Sequence, residues 1–432
     1  MKGKKLCTTV VRSVVLVGSL LLAGGAVQAQ PQPGYYDIPP GFDFPGNKQA
    51  LDQIRAAGNL SAQRLHVWNV FAGMTQPTPD NKYAIFETWY SSDETFQTGP
   101  GLQANVPRRV VRRFAPPRQF EAQPGQPGLQ AAGSAVFSTI LFNYPNYKHV
   151  RDNKLYLQST LNGLKQTGAA DPTVPNNRTV PAFPNNAVSL KTVWWPVKKA
   201  GMTVMPIWDP EFNPLRPTGN GMQTWARVVA VDPSRTSIPA GESTSISFAG
   251  TNHPNAAVVS LSAFHYFQLD QQGVDAIMAT QTGAFAQSVF GRPVEVGDYV
   301  AFVGTHLTTK EIDDWVWATF WWHDRPNVGS FADDRPASVK GVWRNYLMSA
   351  SYDLELPREG DGTAHITFNP WLESGFRQGI LSNCMNCHMR ASWQPTSFLP
   401  IFRGKPDLAH DQAYRAGQLR TDLLWSLPFE AK

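Results

Sequence analysis

Apolar and polar residues change their spacing along the chain, and each change predicts a different element. Between residues 47 and 73 the apolar side chains recur at helical spacing, with Leu51, Ile54 and Ala57 on one stripe and Leu65, Trp68, Val70 and Phe71 on another. A short strand is predicted at Tyr83–Trp89. A second helix is predicted from Lys148 to Lys165, with Val150, Leu155, Leu157, Leu161 and Leu164 on its inner side. From Val188 the pattern becomes alternating. Val188–Trp195 and Met202–Trp208 predict two strands paired around the turn Lys198–Gly201. More strands are expected at 224–231, 244–248, 258–267, 298–305, 315–323 and 340–350, and a last helix near 407–426. The expected fold is mainly β with α, an α+β chain. An antiparallel sheet or sandwich would follow N-terminal helices and precede a short C-terminal segment.

Composition agrees with that pattern. Gly (34) and Pro (35) are frequent, charged residues make up only 16%, and Trp reaches 14. This profile suits a loop-rich, largely β protein better than a helical bundle or a disordered chain. The first residues predict export rather than structure. Lys2, Lys4 and Lys5 form a basic head, Val14 to Val27 is almost wholly apolar or small, and Val27 and Ala29 are small at the positions a signal peptidase reads. Cleavage is expected after Ala29. The apolar run is too short and glycine-rich for a membrane span of about 20 residues, so no stable span is expected in the mature chain.

That cut changes the charge picture. Of 38 Lys and Arg, four (Lys2, Lys4, Lys5, Arg12) lie in the leader, leaving 34 against 33 Asp and Glu. Nothing in this balance points to nucleic acid. Residues 96–135 predict a long irregular connection. Within it Arg108, Arg109, Arg112, Arg113 and Arg118 form a basic cluster. It reads either as a docking patch or counter-charge for an acidic group, or as an ordinary solvated loop.

Chemistry concentrates near the C-terminus. Cys384-Met-Asn-Cys387-His388 is a C-x-x-C-H sequence, the pattern of covalent haem c attachment. Two intervening residues place both thiols on one turn of helix, where each can add across a haem vinyl group, and the adjacent imidazole is the proximal iron ligand. A thioredoxin-like pair calls for a βαβ setting, and a zinc site for further ligands at the right spacing. A disulfide leaves His388 unexplained. The expected organisation is therefore a signal peptide (1–29), a helical and loop-rich region (30–180), a β-rich domain (181–365) and a haem attachment segment (366–432).

The opposite side of the iron is less defined. Met389 is the last methionine and sits beside the proximal histidine, so it cannot reach the other ring face. His410 lies 22 residues downstream, enough chain to cross a haem at about 3.3 Å per residue. Upstream candidates are His306, His323, His265, His365, Met202, Met205 and Met348. His306 follows a buried strand and precedes Trp315, Trp317, Trp321 and Trp322, which suit a haem wall and equally suit a core. His323 beside Asp324 has the look of an imidazole oriented by a carboxylate.

Several strings resemble a group of exported bacterial cytochrome c family proteins. These are Ala187–Trp195, Thr305–Lys310, Trp315–Phe320 and Asn383–His388, spanning roughly residues 185 to 395. The resemblance implies haem binding and electron transfer; a redox partner protein is expected for a chain with that role. His306 and Lys310 match its pattern and His323 does not. A looser likeness, in architecture alone, is to cytochromes P460 and the β-type cytochromes c′. An electron carrier is the first expectation; a haem-dependent oxidoreductase or gas-binding protein with an open distal position is the alternative. The mature protein is expected to begin at Gln30 and to lie in the periplasm or outside the cell. Mass spectrometry of the native N-terminus tests this, and retention of Lys2–Lys5 refutes it.

Overall fold

The structure, a computed structural model, describes Met1 and residues 31–103, 105–108, 110, 114–115, 136–172, 174, 176–210, 221–373, 382–394 and 417–432. The predicted leader, most of the 96–135 connection and His410 lie outside these residues. Among the described residues the fold is α+β with three mostly antiparallel sheets. Among the described residues no helix is long and apolar enough to cross a membrane.

The largest sheet has seven strands. Its order is Tyr90–Ser91, Phe137–Phe142, Val188–Val197, Tyr299–Thr309, Val316–Trp322, Tyr346–Ser351, with Tyr266–Gln268 added beside Tyr299–Thr309. Every pairing in it is antiparallel. Opposed residues share a face, so the register sorts the side chains into two sets. One row runs Leu141, Leu190, Leu307, Ala318, Ala350. The next row on the other face runs Ile140, Lys191, His306, Thr319, Ser349. One side of the sheet is greasy and the other is mixed.

The helix Leu60–Met74 covers the apolar side. It follows the helix Lys48–Ala56 after a break at Gly58, whose φ of +60° suits glycine. Asn47 and Asn59 cap the two helices by accepting from Ala50 and Ala62 backbone N–H at 3.0 and 3.1 Å. Phe71 stacks on Phe320 with ring centroids 4.1 Å apart, and Trp68 meets Phe320 edge-on at 5.0 Å. Leu65, expected inside, is 44% exposed.

Other expectations are corrected. Tyr83–Trp89 is a 3-10 turn, Ile85–Thr88, and not a strand, because Glu87 bonds back to the Ala84 N–H at 2.9 Å and curls the segment. The helix predicted over 148–165 is two helices, Tyr144–Asp152 and Gln158–Thr167, separated where Lys154 takes φ +52°. Val188–Val197 and Thr203–Ile207 do not pair. The second leaves for another sheet, ordered Thr203–Ile207, Arg227–Asp232, Thr251–Ser260, Ser243–Phe248, and Trp195 Nε1 donates across to the Val204 carbonyl at 2.9 Å. The strand expected over 258–267 is split between the end of Thr251–Ser260 and Tyr266–Gln268 by a 3-10 turn. Residues 340–345 are also largely 3-10, with the strand confined to Tyr346–Ser351. Two helices, Gln271–Met278 and Gln281–Phe290, were not anticipated, although Asp270 and Thr280 cap them as such residues do.

The third sheet is small and joins distant parts of the chain. Its order is Ser392–Trp393, Leu419–Arg420, Arg178–Thr179, Ala169–Ala170. Of the helix predicted near 407–426, residues 417–426 instead contain this short strand and turns. Because Phe320 is fully buried between Phe71 and Trp68, Phe320→Ala should cost about 3–5 kcal/mol of stability. Urea denaturation measures it; a loss below about 1 kcal/mol would mean this packing does not hold the sheet.

Candidate functional site

Cys384–His388 forms a single helical turn, as its spacing predicts. Met385 and Asn386 point into the protein, while Cys384, Cys387 and His388 share the other face. Cys384, Cys387 and His388 are each partly buried. Cys384 packs against the hydrophobic cluster that surrounds the motif. Both cysteines are free thiols. Among the described residues no three His, Cys, Asp or Glu side chains converge to hold a bare metal ion.

His388 is oriented from two sides. Its Nδ1 lies 2.7 Å from the Leu423 carbonyl oxygen, so that nitrogen carries the proton and Nε2 keeps its lone pair. Its ring face lies against Trp317, with centroids 4.2 Å apart and planes at 48°. Burial pushes the imidazole pKa down to about 3; the Leu423 contact opposes this, and the positive fields of His306 and Lys191 add to it. The imidazole is therefore neutral across the physiological range, the state in which it binds metals.

The Leu423 carbonyl is itself held in place. Asp422 and Leu423 both take left-handed backbone angles, φ +49° and +64°, which non-glycine residues rarely adopt. Asp422 accepts from Lys310 Nζ at 2.6 Å and from the Phe183 N–H at 3.1 Å. Lys310 also donates to the Asp313 carbonyl at 2.7 Å, and its side chain and that of Asp422 are only 9% and 10% exposed.

The sheet contributes the polar wall. His306 Nε2 pairs with Glu373 Oε1 at 2.6 Å, while its Nδ1 is buried without a hydrogen-bond partner. Glu373 ends the short helix Pro370–Glu373. Asn369 pins that helix to the sheet by donating to Thr319 Oγ1 at 2.8 Å and to the Phe320 carbonyl at 3.1 Å. Gly304 makes room for it, since a Cβ there would lie 2.9 Å from the Phe320 oxygen and 3.2 Å from Asn369 Nδ2. Burial raises the Cys384 thiol pKa well above its usual value, with Glu373 adding to the shift. Cys387 is pushed up to about 11 by burial; Arg390 works against this and Glu373 with it. Both are protonated at neutral pH.

Around the motif lies a hydrophobic cluster distinct from the one under the large sheet. It includes Trp315, Trp317, Met385, Met389, Trp393 and Leu423. Met389 is packed in this cluster, behind the motif. Of the four expected wall tryptophans, Trp317 reaches His388. Trp315 stays in the same cluster, while Trp321 lies against Phe368 and Trp322 stacks on Phe264 in the other one.

The remaining candidates are engaged elsewhere. His323 is buried at the far end of its strand, accepting from the Arg325 N–H at 2.9 Å, with Asp324 3.5 Å away. His265 pairs with Glu87 at 2.9 Å and His365 with Glu359 at 2.9 Å. Met205 and Met348 are fully buried in the large core. Arg108 is neither a docking residue nor solvated: it grips Glu94 and the carbonyls of Thr88 and Trp89. The other four arginines of that cluster lie outside the described residues. Sequence reasoning missed Glu373, Asp422 and Leu423, whose roles arise only from tertiary contact. Lys191 did carry a signal, as the lone charge within an apolar strand.

No family model, curated protein or solved structure matches this chain. The geometry itself is testable. Lys310→Met leaves the nearly buried Asp422 carboxylate without its cation and should destabilise the protein by about 3–5 kcal/mol. The double variant Lys310→Met/Asp422→Asn should recover part of that loss. Chemical denaturation of the four proteins measures the coupling, and additive losses would show the pair to be unimportant.

Proposed function

We propose that this protein is an exported mono-haem c-type cytochrome that transfers electrons to or from a redox partner protein in the periplasm or outside the cell. Cys384 and Cys387 anchor the haem, and His388 binds its iron through Nε2. One observation carries this reading: both thiols and the imidazole stand on one helical turn, with His388 Nδ1 already committed to the Leu423 carbonyl. This is how metal-binding histidines are commonly oriented. Bound haem supplies one-electron chemistry between ferric and ferrous iron. The residues of the chain orient the proximal imidazole, keep it neutral and surround the group with apolar and polar walls.

The distal ligand is proposed to be His306 or His410, or to be absent. The Nδ1 of His306 is buried without a hydrogen-bond partner, whereas its other nitrogen is engaged. The Nε2 of His306 is taken by Glu373, so ligation through that atom requires the pair to part. An open position would suit a haem-dependent oxidoreductase or a gas-binding protein, with His306 and Glu373 on the site wall.

Acid–acetone extraction should leave one haem per chain with the protein, and Cys384→Ala/Cys387→Ala should release it. Haem that partitions into solvent from the wild type rules out covalent attachment. Optical spectra of both oxidation states then separate the two readings. Low-spin iron that becomes high-spin in His306→Ala identifies that distal ligand; high-spin iron in the wild type supports the open site.

A further inference from the structure

Trp317 touches the proposed iron ligand and also reaches a surface turn. Its ring lies 4.2 Å from that of His388, centroid to centroid, and its Nε1 donates to the Asp314 carbonyl at 2.9 Å. Trp317 is 3% exposed. Asp314 belongs to the turn from Lys310 to Trp315, which closes through the Ile312 carbonyl and a left-handed Trp315 at φ +63°. At its tip, the Asp313 side chain is 86% exposed and lies 3.2 Å from Lys48 Nζ, an ion pair at the surface. The one lysine of the turn, Lys310, is drawn inward to Asp422. One indole therefore connects His388 to a turn at the surface.

We propose that Trp317 is the relay for electrons between the haem and the surface, and that they leave or enter at the Lys310–Trp315 turn. The inference rests on His388 being an iron ligand. In the outward direction one electron passes from ferrous haem to an external one-electron acceptor. The iron is oxidised, the acceptor is reduced, and Trp317 ends unchanged, because it supplies π overlap and no net redox equivalent. The indole suits this role through its place: its ring contact with the imidazole and its hydrogen bond to the turn replace a gap that a saturated side chain would leave. The buried Trp321 and Trp322 belong to the other hydrophobic cluster and have no such contact with His388 in the structure.

The test uses the haem-loaded protein, reduced and mixed with two acceptors of opposite charge, tris(phenanthroline)cobalt(III) and ferricyanide. Trp317→Leu should slow oxidation by both several-fold, and Trp317→Phe should restore most of the rate. Haem content is measured in both, and rates are compared after correction for any shift in midpoint potential, since Trp317 lies against His388. Asp313→Lys replaces the exposed carboxylate that pairs with Lys48 by a second cation, and should slow the cationic acceptor while speeding the anionic one. In the haem-free protein, the His388 ring resonances should move in Trp317→Phe, since the aromatic field on them changes. Wild-type oxidation rates in Trp317→Leu after that correction overturn the proposal. If that variant does not fold, unchanged rates for both acceptors in Asp313→Lys overturn it instead. A wild-type protein that binds no haem removes the functional reading itself, a different result from either.

Discussion

Lys310 grips Asp422, and through it the Leu423 carbonyl is fixed where His388 needs an acceptor. Lys310 follows directly on the strand Tyr299–Thr309; Asp422 stands at the end of a chain whose preceding residues pair with Arg178–Thr179. Sheet, tail and N-terminal region thus meet at one nearly buried ion pair. Such pairs add little net stability when complete, yet are costly to break from one side. Their better-attested use is to specify an arrangement. Here the arrangement is a carbonyl aimed at one imidazole nitrogen, held against the strain of two left-handed residues.

The long ladder between Val188–Val197 and Tyr299–Thr309 supplies the second constraint. It sets Lys191 opposite His306, and the next ladder sets His306 opposite Thr319. A slip of one residue would turn all three to the helix side and bring Leu190 and Leu307 into the polar wall. The apolar grip of Phe71 and Trp68 on Phe320 forbids that slip. Packing on one face of the sheet thereby positions the chemistry on the other.

What could be read in the sequence divides along the same line. The C-x-x-C-H turn was legible because its geometry is local: the spacing alone brings Cys384, Cys387 and His388 to one face. The helix pair at 48–74 and most central strands were legible because burial imposes their period. Strand partnership was not. Val188–Val197 and Thr203–Ile207 carry the hairpin pattern, but nothing in that pattern tells a hairpin from a strand that crosses into a second sheet. The same limit hid Glu373 and Leu423, one a lone acid in a short helix and the other a carbonyl, neither with a chemical signature until the fold brings a partner.

The wall opposite the thiols combines opposed charges. Lys191 and His306 both depress the basicity of His388, while Glu373 raises the pKa of both thiols. Each influence acts in a partly desolvated space, where charges couple more strongly than in water. Glu373 bonded to His306 confines that positive influence to a defined place. The short helix carrying Glu373 is held by Asn369, and Asn369 is accommodated by Gly304 on the same strand as His306. The balance of the site is thus set by the sheet that also fixes its geometry.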